Sequence, residues 1–340
     1  MDNHHTSRQA LPSLAGEDGS GSLNIVFMGT PEFAVESLKK LVENGYHVVA
    51  VVTMPDKPVG RHHDTLQASP VKQYALSQGL PVLQPERLKD ETFLEELRSY
   101  HADLQIVVAF RMLPEVVWAM PPLGTFNLHA ALLPQYRGAA PINWAVINGE
   151  TETGVTTFFL DHDIDTGRII HRVPSPIADT DTVGDVYDRL MYLGADLVLR
   201  TVDDIAAGNI QPIDQSSVLG DLSAETLLRP APKLSRDNTQ ILWHQHTVKS
   251  AYDFIRGLSP YPGAWTTLRT ADGKDTQLKV FFSEKETTFP ADGNEYGPLL
   301  IHLRDGYLRL TDIQLAGKRR MSVQDFLRGA HLEGAELVEL

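Results

Sequence analysis

The segment from residue 23 to residue 52 constrains the fold most, because it contains a buried strand, a turn, a helix and a second buried strand. Leu23–Met28 is a continuous apolar run that ends in a Gly-Thr-Pro turn. Apolar residues at helical spacing follow until an Asn-Gly pair, and the apolar run His47–Val52 comes next. A strand, a helix and a strand in this order predict a parallel sheet with right-handed crossovers.

The rest of the first two thirds of the chain continues the alternation of strands and helices. Leu104–Phe110, Thr125–His129 and Gly154–Leu160 have the composition of strands, and Val183–Ala207 has the spacing of one long helix. The segment Met54–Ser69 is irregular, and a loop of this length inside a compact domain is usually functional or disordered. We therefore predict a Rossmann-like α/β domain with a mostly parallel sheet.

The last third of the chain has a different pattern. Short strand-like runs are separated by Asp-Gly turn signals, which is typical of a small β-barrel, with the OB-fold as the natural candidate. A length of 340 residues allows about two domains. The predicted divisions are a disordered leader without periodicity (1–22), an α/β domain (23–211), a proline-containing linker (212–234) and an OB-like domain (235–340).

Composition excludes several classes of protein. The chain has no cysteine, which excludes disulfides and thiolate metal sites, and no apolar run approaches the ~20 residues of a membrane span. The N-terminus has no signal-peptide pattern, so we expect a cytoplasmic protein. The net charge is −14, but residues 235–340 have 13 basic and 14 acidic side chains, including Lys318, Arg319 and Arg320. Local basic patches matter more for nucleic-acid binding than the total charge, although this total does not favour it.

Three polar side chains form the candidate catalytic set: Asn127, His129 and Asp165. Asn127 and His129 alternate along the short predicted strand Thr125–His129, so both side chains point to one face, at the end of a strand where open α/β sheets bind ligands. An amide can donate to an oxyanion, and an imidazole can stabilise it or move a proton. A carboxylate can orient the imidazole. This chemistry suits transfer of an acyl or formyl group to nitrogen, if folding brings Asp165 to the other two.

Each of these motifs also has a structural interpretation. An Asn-x-His at a strand end is more often structural than catalytic, and Asp-Thr-Gly, which begins at Asp165, is a common turn. The turn at Gly29 lacks the second and third glycines of a dinucleotide-binding motif, which argues against NAD. The combination and the order of the three polar residues favour the functional interpretation.

The same residues resemble those of the folate-dependent formyltransferases. The run from Arg137 to Ala145, with the sequence RGAAPINWA, is similar to the branch of that family that formylates methionyl initiator tRNA. Three further segments resemble the same branch: FMGTPEFA from Phe27, PDKPVGR from Pro55 and LSPYPGA from Leu258. The resemblance covers the chain from about Leu23 to its end.

The resemblance implies a fold, a donor, an acceptor and site residues. It implies the formyltransferase fold, with Asn127, His129 and Asp165 as the catalytic set, and 10-formyltetrahydrofolate as the formyl donor. The tRNA-binding residues would be Lys57 and Arg61, in a loop that approaches the acceptor stem, together with the basic run Lys318, Arg319 and Arg320. The folate pocket would be flanked by Leu132, Leu133, Pro134, Gln135, Tyr136, Arg137, Gly138, Ala139, Ala140 and Pro141.

One feature departs from the family pattern. Several basic residues typically follow the position of Arg61, whereas here His62, His63, Asp64 and Thr65 follow. This change predicts that the loop binds phosphate more weakly, or that its binding depends on protonation of the histidines. A solvated loop tip is the simpler interpretation of His62 and His63. The pattern supplies too few ligands for zinc, so we expect no metal.

The predicted function is transfer of a formyl group from 10-formyltetrahydrofolate to methionyl initiator tRNA by a protein that we expect to be a monomer. Other acceptors stay open: an amino sugar nucleotide, another small amine such as a purine precursor, or water in a formyl-folate hydrolase. A non-catalytic RNA-binding protein is a further alternative. The intact set of Asn127, His129 and Asp165 argues against that last alternative.

Overall fold

The computed structural model describes residues 23–59, 65–219, 228–330 and 332–339. The chain divides into two compact units. The first unit, called the catalytic unit below because it contains the three candidate catalytic residues, comprises the described residues of Met1–Pro134, Gly154–Val173 and Leu190–Leu227. The second, called the C-terminal unit, contains those of Gln135–Thr153, Pro174–Arg189 and Leu228–Leu340. The predicted domain boundaries at 211 and 234 stay a prediction.

Strands and helices alternate along the first two thirds of the described chain, as the sequence pattern predicts. The strands are β1 (Ile25–Gly29), β2 (Val48–Val52), β3 (Lys57–Val59), β4 (Thr65–Gln67), β5 (Val82–Leu83), β6 (Leu104–Val108), β7 (Thr125–His129), β8 (Glu152–Phe159) and β9 (Ile169–Pro176). The helices are α1 (Glu32–Glu43), α2 (Pro70–Ser77), α3 (Glu91–Ser99), α4 (Glu115–Trp118), α5 (Pro141–Ile147), α6 (Val183–Ala206) and α7 (Gln215–Val218).

Seven of these strands form one sheet in the order β5-β2-β1-β6-β7-β8-β9. β1 pairs in parallel with β2 and β6, and β6 pairs in parallel with β7. β8 is antiparallel to β7. Every residue of β1 and β6 is buried, as expected for central parallel strands that are covered on both faces. The carboxyl ends of β1, β6 and β7 therefore meet at one edge, where β7 ends at His129.

The core of the catalytic unit lies against this sheet. Val26, Val52 and Val107 come from three neighbouring strands and pack with Phe93 and Leu97 of α3. α3 has an apolar stripe on one side, so its burial follows from the spacing of its leucines and phenylalanine. This packing fixes β1, β2 and β6, and β6 pairs with β7, which carries Asn127 and His129.

The C-terminal unit contains an antiparallel sheet of six strands. Its strands are β10 (Ala264–Arg269), β11 (Asp275–Glu286), β12 (Leu300–Leu303), β13 (Gly306–Leu315), β14 (Met321–Ser322) and β15 (Glu336–Val338). β11 changes register near Phe282, and such bulges bend a strand so that a sheet can curl. Helix Val248–Gly257 buries Phe254 and Ile255 against strand residues that include Leu278 and Leu308. Two further short helices are Gly293–Tyr296 and Val323–Leu327.

The predicted fold class is confirmed: a mixed α/β sheet with mostly parallel strands is followed by a curled antiparallel sheet. The description of Met54–Ser69 as irregular is wrong in part, because β3 and β4 pair as an antiparallel hairpin within it. The sequence did not indicate this pairing, because the strands are short and because proline, here Pro58, is uncommon within strands. The predicted leader, residues 1–22, lies outside the described residues.

Candidate active site

His129 and Asp165 lie close together in the catalytic unit. His129 is the last residue of β7 and is 5% exposed. Its Nδ1 lies 3.8 Å from Oδ2 of Asp165, whose side chain is 15% exposed. A distance of 3.8 Å is an electrostatic contact rather than a direct hydrogen bond. Folding thus brings together an imidazole and a carboxylate that are far apart in the sequence.

Asn127 lies two residues before His129 on the same strand. β7 runs between β6 and β8, and Asn127 is aligned with Val107 and Phe158 on its two neighbours. It is partly exposed, whereas Phe126 and Leu128 beside it are buried. Its side-chain amide makes no hydrogen bond to any described residue. Because this side chain is partly exposed, its amide N–H can donate to a ligand or to water.

Asp165 has an unusual backbone conformation. Its φ is +55°, in the left-handed region that residues other than glycine rarely adopt. The buried side chain of Gln215 donates hydrogen bonds to the carbonyl oxygens of Asp165 and Gly167, at 2.7 and 2.9 Å. Gln215 was not predicted from the sequence. Its polar side chain lies in a segment that we interpreted as a linker, and no motif surrounds it.

The predicted folate loop, Leu132–Pro141, begins in the catalytic unit. Leu133 is fully buried, and its backbone N–H donates to Oγ1 of Thr156 at 3.1 Å. The same hydroxyl donates to the carbonyl oxygen of Ala131 at 2.6 Å. These bonds tie the chain just beyond β7 to β8. Leu133 and Pro134 therefore pack inward.

The remaining part of that loop, Gln135–Pro141, belongs to the C-terminal unit. Tyr136 is 5% exposed, has a φ of +59° and donates its hydroxyl to Oε1 of Glu150 at 2.5 Å. Burial, together with this bond, raises the pKa of Tyr136 to about 12. Arg229 also donates to Glu150, at 2.8 Å. Tyr136 is thus a neutral internal support of the loop.

A part of the predicted linker binds this loop within the C-terminal unit. Ala139 donates its backbone N–H to the carbonyl oxygen of Ala231 at 2.7 Å, and Ala231 donates to the carbonyl oxygen of Arg137 at 2.8 Å. Gly138 has a φ of +126°, and a β-carbon there would overlap the carbonyl oxygen of Ala231. Only glycine suits this close approach. The sequence analysis missed this pairing, because proline-rich linkers are usually not paired.

The hairpin β3–β4 is anchored at its base in the catalytic unit. Asp56 accepts hydrogen bonds from Nζ of Lys72 at 2.7 Å and from Nε2 of Gln84 at 2.8 Å. The Lys72 ammonium is the main reason that the pKa of Asp56 is lowered. Lys57, a predicted tRNA contact, is exposed on β3. Arg61, the other predicted contact in this hairpin, lies outside the described residues.

The basic run Lys318–Arg320 is exposed in the C-terminal unit, but its members differ. Arg320 forms two hydrogen bonds with the carboxylate of Asp312, at 2.7 and 3.1 Å, and its guanidinium lies 4.3 Å from the ring centre of Phe281. Its charge is therefore largely neutralised. Lys318 and Arg319 have no ion pair with any described residue.

A second basic surface lies in the same unit. A cavity of about 490 Å³ has three basic side chains, Lys233, Arg236 and Lys279, and no acidic residue in its lining. Tyr261 at its rim is 81% exposed, and the Arg236 guanidinium lies 5.0 Å from the ring centre of Trp265. Cations beside aromatic faces are typical of sites that bind nucleic-acid strands. The sequence analysis missed these cations, because they are far apart in the chain.

The described part of the chain has no cluster of three or more histidine or acidic side chains that could hold a metal ion. His62 and His63 are outside that part. Among the described helices, none has both the length and the apolar composition needed to cross a bilayer.

Comparison with known proteins identifies the family. The family model "Formyl transferase" matches residues 23–202, and "Formyl transferase, C-terminal domain" matches residues 233–331. Two curated relatives are methionyl-tRNA formyltransferases. The one from Parabacteroides distasonis is 62% identical over 90% of this chain and 95% of its own. The one from Phocaeicola vulgatus is 61% identical over 93% of this chain and 98% of its own.

Solved structures share the fold at low sequence identity. HypX from Aquifex aeolicus, in complex with tetrahydrofolic acid, is 17% identical with a TM-score of 0.61, over 90% of this chain and 47% of its own. WlaRD, a sugar 3N-formyl transferase in the presence of dTDP and 5-N-formyl-THF, is 17% identical with a TM-score of 0.58, over 88% of this chain and all of its own. Matches to both family models and to relatives above 60% identity lead to one conclusion: the chain belongs to the formyl transferase family of enzymes.

Proposed function

We propose that this enzyme transfers the formyl group of 10-formyltetrahydrofolate to the α-amino group of methionyl initiator tRNA. The observation that carries the proposal is the 3.8 Å contact between His129 and Asp165, at the strand end that also bears Asn127. The relatives above 60% identity, both called methionyl-tRNA formyltransferase, support this choice of acceptor.

The proposed reaction exchanges one carbon–nitrogen bond for another. The methionyl nitrogen attacks the formyl carbon and forms the new bond, and the carbonyl oxygen becomes negatively charged. The bond from the formyl carbon to N10 of the folate then breaks. The attacking nitrogen loses one proton and the leaving nitrogen gains one, so no oxidant, reductant or metal is needed for the balance.

The three side chains have distinct proposed roles. Asn127 donates its amide N–H to the developing oxyanion, because this amide has no partner among the described residues. His129 stabilises the oxyanion if it is charged or transfers the proton if it is neutral. Asp165 orients the imidazole and positions a water molecule that relays the proton.

The family assignment supports a proposal for the donor and acceptor sites. We propose that Leu132–Pro141 flanks the folate, with the buried Leu133 and Tyr136 supporting the loop from within. For tRNA we propose Lys57 and Arg61 of the hairpin, and Lys318, Arg319 and Arg320 of the C-terminal unit. Arg320 contributes least, since Asp312 already pairs with it.

The basic cavity of the C-terminal unit is an additional candidate for contact with tRNA. Three cations without a lining carboxylate suit a phosphate backbone, and the exposed ring of Tyr261 offers a face on which a base can stack. This local positive charge can attract tRNA even though the whole chain has a net charge of −14.

Three further expectations accompany this function. We propose that the catalytic domain extends from 23 to 211 and the C-terminal domain from 235 to 340, joined by the linker 212–234. We also propose that the enzyme is cytoplasmic, where translation initiates, and that it is a monomer. Size-exclusion chromatography with light scattering tests the last point, and a dimer mass would contradict it.

The test is a comparison of acceptors with 10-formyltetrahydrofolate as donor. The wild-type enzyme is given charged initiator tRNA, charged elongator tRNA, an amino sugar nucleotide or water alone. We expect rapid formylation of the initiator and much slower reaction of the other three. Equal or faster turnover with the sugar or with water would overturn the proposal.

A further inference from the structure

Gln215 occupies a buried position next to the loop that bears Asp165, although it lies fifty residues away in the sequence. It is the first residue of α7, and it is 4% exposed. Its Nε2 donates to the carbonyl oxygen of Asp165 at 2.7 Å and to that of Gly167 at 2.9 Å. One buried amide thus holds two backbone groups of the same loop.

The loop needs such support because of the conformation of Asp165. A left-handed backbone is unfavourable for a residue with a β-carbon, less so for aspartate than for most, so contacts with the surrounding structure help to select it. Phe159 donates its backbone N–H to the carbonyl oxygen of Arg168, just after the loop, at 3.0 Å. Gly167 is so close to Phe159 that a β-carbon would overlap the Phe159 carbonyl oxygen. Gln215 adds the two bonds to the carbonyl oxygens of Asp165 and Gly167.

Gln215 is itself held in place by the sheet. Ile213, two residues earlier, exchanges two backbone hydrogen bonds with Ile169 at the start of β9, both at 2.9 Å. This antiparallel bridge fixes the chain just before α7. The position of Gln215 is therefore set by the same strand that follows the Asp165 loop.

We propose that Gln215 is a positioning residue for formyl transfer. It holds the backbone of Asp165 in the left-handed conformation that places the carboxylate 3.8 Å from Nδ1 of His129. Gln215 acts only through Asp165 and does not touch the substrate. This inference rests on the proposed function, because it assumes that the pair of His129 and Asp165 serves catalysis.

The test is a double-mutant cycle between Gln215→Glu and Asp165→Asn. Glutamate has nearly the same shape as glutamine, but it places an oxygen without a hydrogen against both carbonyl groups. We expect Gln215→Glu to lower kcat by about 10- to 100-fold, because small displacements of catalytic groups cost up to about 10²-fold. The KM values for both substrates should change little.

In the Asp165→Asn background, the same change at Gln215 should lower kcat by less than about threefold, because residues that act through one another are not additive. A purely structural effect would lower the active fraction by the same factor in both backgrounds. A full 10-fold loss in the Asp165→Asn background, or an unchanged kcat in Gln215→Glu alone, would overturn the proposal.

Two controls keep the outcome interpretable. Gln78→Glu changes an exposed glutamine whose Nε2 donates only to Oγ of Ser77, and its kcat should equal that of the wild type. If Gln215→Glu fails to fold, Gln215→Ala is used instead. Circular dichroism and thermal melts then measure the folded fraction. Wild-type enzyme that does not formylate initiator tRNA would refute the proposed function, whereas active wild type with an additive cycle would refute only the inference about Gln215.

Discussion

Two segments of the catalytic unit, the loop Asp163–Gly167 and the hairpin of β3 and β4, are held in opposite ways. The loop is fixed at the functional residue itself, since Gln215 binds the carbonyl oxygen of Asp165. Among the described residues, the hairpin is fixed at its base, where Lys72 and Gln84 bind Asp56. The proposed contact Lys57 follows that anchor in the chain, and Arg61 lies outside the described residues.

The difference follows from what each segment is proposed to do. A group that moves a proton must be placed within a fraction of an ångström, because a displacement of about 1 Å can cost about 10²-fold in rate. A group that attracts a polyanion acts through long-range charge, which tolerates small displacements. We therefore expect changes in the loop to lower kcat, and changes in the hairpin to raise the KM for tRNA.

The largest expected effect is at Asp165. Asp165→Asn keeps the shape but removes the negative charge beside His129, so kcat should fall by about 10²- to 10⁴-fold with little change in KM. Steady-state formylation of charged initiator tRNA measures both constants. An effect on KM alone would place Asp165 among the binding residues. The loop and the hairpin would then not differ in which kinetic constant they control.

The next effect is at Gly167. Gly167→Ala introduces a β-carbon that would overlap the carbonyl oxygen of Phe159, so the loop must shift away from its bonds. We expect kcat to fall by about 10²-fold. Gly329→Ala is the matched control, because a β-carbon there meets no atom within 4 Å. Equal activity of the two variants would show that the position of the loop does not matter.

A smaller effect is expected at the base of the hairpin. Asp56→Asn removes the charge that pairs with Lys72, so the KM for tRNA should rise a few-fold while kcat stays the same. The exposed Asp188→Asn, a control without an ion pair among the described residues, should leave both constants unchanged. A fall in kcat at Asp56 would mean that the hairpin contributes to the chemistry.

The same pair predicts a pH dependence of stability. The pKa of Asp56 is lowered from 3.8 mainly by its hydrogen bond from Lys72. A lowered pKa means that the folded state favours the charged carboxylate, so this stabilisation is complete above 3.8 and is lost as the pH falls through the lowered value. The difference in melting temperature between wild type and Asp56→Asn should therefore be present at neutral pH and vanish in acid. A constant difference would contradict the pairing.

The smallest effect is expected at Lys57. Lys57→Ala removes one exposed cation from the proposed tRNA surface, so the KM for tRNA should rise about twofold at low salt and less at high salt. Lys89→Ala, an exposed lysine without an ion pair among the described residues, is the control. The same rise at high salt would show that Lys57 acts through packing rather than through charge.

The sequence predicted the parts of the site that depend on local periodicity. Asn127 and His129 alternate on an apolar strand, so their shared face follows from the geometry of a strand alone. The strands of the sheet and the change of pattern in the last third of the chain are equally local. Their bounds differ from the structure by a few residues, as the end of β6 at Val108 shows.

The parts that the sequence did not predict depend on contacts between distant residues. Gln215 acts by side-chain bonds to backbone groups fifty positions away, and no composition or spacing marks such a bond. The cations of the basic cavity, such as Lys233 and Lys279, meet only after the sheet of the C-terminal unit has folded. The pairing of Ala231 with the loop at Gly138 is likewise invisible in a proline-containing segment.

The most direct test of the central claim is the rate of formyl transfer to charged initiator tRNA in Asn127→Ala and in His129→Ala. If the amide stabilises the oxyanion and the imidazole stabilises it or moves the proton, each variant should lose at least about 10²-fold in kcat while its melting temperature stays near that of the wild type. A kcat close to that of the wild type in either folded variant would contradict the account.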